Sequence, residues 1–122
     1  MRPIASWFII LGVVSALLGM LWGIQMAATH DHALSPAHGH LNLVGWVSLM
    51  LFGLYYQVNP AAELSRLAKV HLIIAVVGVA LLVPGIAMAI SGRTELLAIL
   101  GSFVTLASMC VFTAVVLRYR NV

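Results

Sequence analysis

Four apolar runs, each about as long as a bilayer is thick and parted by short polar breaks, leave this chain few ways to fold. They occupy residues 4–26, 36–58, 68–90 and 96–117. Each approaches or exceeds the ~20 residues that cross a ~30 Å hydrocarbon core. Backbone groups in lipid must be satisfied internally, so the runs are expected to be helices. None shows the strict alternation of a barrel strand. Composition leads the same way. The 122 residues are 63% hydrophobic and 7% charged, where a soluble domain carries about 25% charge. So little charge cannot cover a soluble surface, and nothing here suits a nucleic-acid partner. The expected fold is all-α, a polytopic membrane four-helix bundle forming a single domain over residues 1–122. The first run is too long for a signal peptide and is expected to be retained.

The breaks carry local signals. "SPAH" offers Ser35 as a helix cap and Pro36 at the first helical position, where a missing N–H costs nothing. "VNPAAELSR" reads as a polar turn after the second helix, and "SGRTE" separates the third from the fourth. Pro84 removes one hydrogen bond inside the third run and predicts a kink. Cys110 reads as a packing residue, and the tryptophans and tyrosines as interfacial anchors. With four spans, both termini and the middle loop share one side. That side carries Arg2, Arg66, Lys69, Arg118 and Arg120, and the other carries only Arg93 among the cations. The positive-inside rule then predicts cytoplasmic termini, N-in and C-in. The localisation that follows is the inner, or cytoplasmic, membrane of a bacterium, with the histidine-rich segment facing the periplasm.

Histidines are the other anomaly. Four of the five, His30, His32, His38 and His40, fall within eleven positions. A histidine in a membrane segment is costly and is a functional candidate by default, and imidazole suits zinc, copper, iron and nickel. His38 and His40 are two apart, ~200° of rotation on a helix, so they face opposite ways. One imidazole then serves each of two sites, or one serves a site and the other a supporting partner. His38 shares its side with Asn42, Gly45 and Leu49; Gly45 would let a flat macrocycle or another helix approach. Asn42 is a candidate to hold a ligand or a neighbouring imidazole. His40 lies with Val44, Val47 and Leu51, placed as an axial ligand to a buried haem. His30 and His32 also read as solvated loop residues beside Asp31. His71, near the other end of its helix, reads mainly as structural. Gly12, Ser15 or Ala16, Gly19 and Gly23 form a small-residue stripe, which usually marks helix packing.

"AHGHLNLVGWVSLMLFGLYYQVNP", residues 37–60, resembles a histidine-bearing transmembrane helix of the haem–copper oxidase subunit I superfamily, especially its nitric-oxide-reductase-like and cbb3-like branches. "LAKVHLIIAVVGVALLVPGIAM", residues 67–88, resembles the helix that follows it. The resemblance implies that His38 and His40 supply two cofactors, with haem toward the outer face. The chain departs from that family in having four helices, one H-x-H and no HPEVY-like segment, so one copy cannot build a haem–copper centre. The family's helices fall into three pseudo-symmetric groups of four. A homotrimer of a four-helix unit would reproduce that layout, with the small-residue stripe as its seam, and closed symmetry is usual for homo-oligomers.

The expected function is therefore a haem b-binding integral membrane protein for electron transfer or gas and redox sensing in respiration, possible as an oxidoreductase component. The expected cofactor-binding residues are His38, His40, Asn42 and Arg93, with Arg93 pairing haem propionates. The partners are the bilayer, other copies of the chain, and a respiratory complex or electron-donor protein. Two alternatives stand beside it. One is copper or zinc handling through His30, His32, His38 and His40 with Asp31. The other is a non-catalytic assembly subunit of a respiratory membrane complex.

Overall fold

The computed structural model describes residues 1–121. Its helices are α1 (Pro3–Thr29), α2 (Ser35–Val58), a one-turn α3 (Pro60–Glu63), α4 (Arg66–Ile90) and α5 (Leu96–Tyr119). The four long ones are apolar and long enough to cross a membrane. They pair as two hairpins. α1 lies along α2, and α4 lies along α5.

Backbone proximity explains both pairings. A Cβ on Gly85 would sit 2.5 Å from Ala98 N, and one on Gly101 would sit 2.6 Å from Leu82 N. Helices that touch backbone to backbone gain van der Waals contact that larger side chains would prevent, which is the main attraction available between helices in lipid. The α1–α2 seam uses the small-residue stripe. Gly12 faces Met50, Ser15 faces Gly45, Gly19 faces Asn42 and Gly23 faces His38. The stripe expected to join separate copies is therefore occupied within one chain. Gly45 likewise admits another helix, α1, and no open space for a macrocycle.

At one end the N-terminus, the α2–α4 connection and the C-terminal turn of α5 come together. Glu63 is 3% exposed, and its Oε1 accepts from Ile4 N at 2.8 Å. Gln57 Oε1 accepts from Arg2 N at 3.1 Å. The first N–H groups of a helix lack intrahelical partners and carry partial positive charge. A buried carboxylate is a fitting partner for them. The connection read as a polar turn is thus a one-turn helix that caps α1. Ser65 then caps α4, accepting from Ala68 N at 3.1 Å.

Two local expectations change. Ser35 is the first residue of α2 and not its cap; its hydroxyl donates to His32 O at 2.7 Å, closing the loop. Cys110 is exposed. Pro84, where the sequence predicts a kink, lies inside α4, which runs as one helix on both sides of it.

Candidate functional site

α2 is not a uniform helix. Leu41–Val47, directly after the H-x-H, forms a π-helical segment, and Ser48 Oγ donates to Leu43 O, five residues back, at 2.8 Å. Such wide turns recur at functional sites. The two histidines precede it and face opposite ways, as their spacing requires.

His38 faces α1. Its Nε2 donates to Gly19 O at 2.9 Å. Because a carbonyl only accepts, this fixes the proton on Nε2. Asn42 Nδ2 donates to His38 O at 3.0 Å and lies 3.2 Å from the ring nitrogen. Trp22 packs edge-on against the ring at 5.9 Å between centroids. A side chain at Gly19 would collide with Asn42 Oδ1. His38, Asn42 and Gly19 thus form a polar clasp between α1 and α2.

His40 faces outward and is exposed. Its Nδ1 donates to Pro36 O at 2.7 Å, which leaves the Nε2 lone pair free. Histidine ligands commonly donate their second ring N–H to a carbonyl, because that fixes tautomer and orientation. The face below is apolar and uncovered, with Leu43 61%, Val47 39% and Leu51 59% exposed. Gly39 is open, since a Cβ there would meet nothing within 4 Å. A flat macrocycle at this face fits the donor, the tautomer and the clearance. It would be held against the outside of the chain, whereas the sequence reading expected a buried haem.

The loop that carries His30 and His32 is held by turn hydrogen bonds. His30 ends α1 in the left-handed conformation, φ 54°. Asp31 Oδ1 accepts from Ala33 N at 3.0 Å. His30, His32 and Arg93 are exposed, and Arg93 lies in the α4–α5 connection. Among the described residues, no three His, Cys, Asp or Glu side chains gather as a metal-binding group.

Sequence reasoning missed a second cluster. His71 is fully buried and its Nδ1 lies 3.0 Å from Tyr56 Oη. Phe52 meets the His71 ring edge-on at 4.5 Å, Phe112 stacks on it at 5.2 Å, and Phe8 lies 5.0 Å away. His71 Nε2 has no hydrogen-bond partner. Tyr56, expected as an interfacial anchor, is 0% exposed and sits in this core. The available signal was position: Leu49, Phe52 and Tyr56 recur at helical spacing on one face of α2.

No family model, curated protein or solved structure matches this chain.

Proposed function

We propose that this chain is a haem b-binding integral membrane protein for electron transfer or for gas or redox sensing, with His40 Nε2 as the axial donor. The observation that carries the reading is the outward imidazole of His40, held by Pro36 O in the ligand tautomer. Bound haem would supply one-electron chemistry. The chain's own part is to fix the imidazole, to offer an apolar wall below it, and to present the Arg93 guanidinium near the same membrane surface for carboxylates. A second imidazole would come from another copy, in a homo-oligomer for which the resemblance to the haem–copper subunit I favours three. The His38–His40 end faces the periplasm of a bacterial cytoplasmic membrane, and Arg93 is the lone cation on that side.

The test is a visible spectrum with elemental analysis on one preparation. Wild-type protein is expected to show a Soret band, and native mass spectrometry in mild detergent to show a multimer carrying haem. His40→Ala is expected to lose or strongly shift the band. His71→Ala is expected to keep it, because its partner Tyr56 lies 16 residues beyond His40, roughly 24 Å along α2 at 1.5 Å per residue. Metal without a Soret band would turn the reading to copper or zinc handling. Neither would leave an assembly subunit.

Topology has its own check. A reporter fused to the C-terminus should be active only in the cytoplasm. Activity in the periplasm would place the His40 face on the other side.

A further inference from the structure

The cations of this chain gather at one end, with almost no opposite charge beside them. Arg2, Arg66, Lys69, Arg118 and Arg120 lie where the N-terminus, α3 and the last turn of α5 meet. Of the three acidic residues only Glu63 is at that end. It is 3% exposed, and its Oε1 already accepts from Ile4 N. Arg66, Lys69, Arg118 and Arg120 are exposed. The positive-inside rule accounts for the side of the membrane on which such charges lie. It does not account for the cleft that they surround.

That cleft holds about 220 Å³, with Asn59, Pro60, Ala61 and Ala62 on one side and Tyr119 on the other. Three elements bring cations toward it. Arg118 and Arg120 flank Tyr119, and the Arg118 guanidinium carbon is 5.8 Å from the centre of the Tyr119 ring. Arg66 opens α4 three residues after α3 ends. The backbone N–H of Arg2 donates to Gln57 Oε1 at 3.1 Å, three residues before α3 begins. The lining itself is apolar except for Asn59 and the tyrosine hydroxyl. Beside α3 stand two uncovered apolar side chains, Val58 at 74% and Leu64 at 77% exposed.

These features select the occupant. It must be anionic, because the charges around the cleft are positive apart from the buried Glu63. It must carry oxygens that a guanidinium fork can grip, because four of the five cations are arginine, and arginine holds phosphate through two N–H groups at once. It must also be amphipathic, because the walls are apolar and lie at the ends of membrane-length helices. Free phosphate meets the first two demands and leaves the walls uncovered. A phosphate carried on acyl chains meets all three, and basic pockets between helix ends are suited to such headgroups.

We propose that this cleft is a binding site for an anionic phospholipid. Its phosphate is held by Arg118, Arg120 and Arg66, and its glycerol and upper acyl segment lie on Pro60, Ala61 and Tyr119. The lipid thereby joins the end of α5 to the connection between α2 and α4. The site is at the opposite end from His40 and does not depend on haem.

The test uses the full chain in mild detergent, with bound lipid counted by native mass spectrometry. Dioleoyl phosphatidylglycerol is titrated against dioleoyl phosphatidylcholine, which keeps the phosphate and the chains but has no net charge. One phosphatidylglycerol per chain is expected to survive at collision energies that strip phosphatidylcholine. Arg118→Gln with Arg120→Gln should weaken its binding about thirtyfold, at roughly fivefold per cation near an anionic headgroup. Ala61→Trp keeps every charge and fills the cleft, and should abolish the retained adduct. Equal retention of the two lipids overturns the proposal. So does wild-type phosphatidylglycerol binding in a folded Arg118→Gln, Arg120→Gln double variant. The same binding in Ala61→Trp with a native thermal midpoint would mean a diffuse charged surface and no site. Displacement of the lipid by equimolar glycerol 3-phosphate would mean a site for soluble phosphate, and overturns the lipid assignment.

Discussion

Gly101→Val is expected to part the α4–α5 hairpin, lowering stability by more than about 3 kcal/mol, beyond the usual cost of an overpacked core. A Cβ at Gly101 would meet Leu82 N at 2.6 Å and Leu82 Cα at 2.7 Å. Those are backbone atoms and cannot rotate aside. Gly85 meets Ala98 in the same way further along the seam, so one helix cannot slide to make room without breaking the second contact. α4 is the principal neighbour of α5, and an aromatic contact that α5 makes elsewhere, Phe112 on Phe52 of α2 at 4.6 Å, lies toward the far end of the helix from this seam. Thermal unfolding in detergent should therefore show a large fall in midpoint, with α5 cut first by limited proteolysis. Gly39→Ala is the matched control. Its Cβ enters open space, and alanine favours the helix by about 1 kcal/mol over glycine. A Gly101→Val protein as stable as Gly39→Ala would mean that close backbone contact does not hold this hairpin.

The same seam shows what the sequence could and could not reveal. Span number and span limits were legible because hydrocarbon thickness sets them, and the four long helices fall where the apolar runs lie. Which small residues meet was not. Gly12, Ser15, Gly19 and Gly23 announce a close contact, but periodicity cannot say whether the partner is α2 or another copy. The structure seats them on α2. Glu63 shows the same limit. "VNPAAELSR" reads only as a polar turn, and only the return of the N-terminus beside it reveals a buried cap.

For the candidate site, the opposition of His38 and His40 was legible, because two residues make ~200° on any helix. Their roles were not, since roles depend on what each ring nitrogen touches. Gly19 O takes Nε2 of His38 and Pro36 O takes Nδ1 of His40. The π-helical segment was also hidden. Shifting hydrogen bonds from four to five residues back changes no residue type and little of the apolar pattern.

Tyr56→Phe and His71→Leu are each expected to destabilise the protein by about 1–3 kcal/mol, while the double variant loses less than their sum. Tyr56 and His71 are wholly buried and bonded at 3.0 Å. Removing the hydroxyl leaves His71 with both ring nitrogens unpaired, since Nε2 has no partner already. Removing the imidazole instead strands the hydroxyl among Phe8, Phe52 and Phe112. Stranding one partner costs more than deleting both, because the lone polar group keeps its full desolvation penalty. Leucine fills most of the imidazole's place, so the double variant exchanges a polar pair for apolar contact with those rings. Membrane hydrogen bonds are modest, so the coupling in a double-mutant cycle should be roughly 1 kcal/mol. Unfolding in mixed micelles measures it. Strict additivity would mean that the 3.0 Å contact contributes nothing. If the double variant is stable and still binds haem, the Tyr56–His71 pair serves the core at the terminal end, and the redox chemistry proposed for His40 does not pass through it.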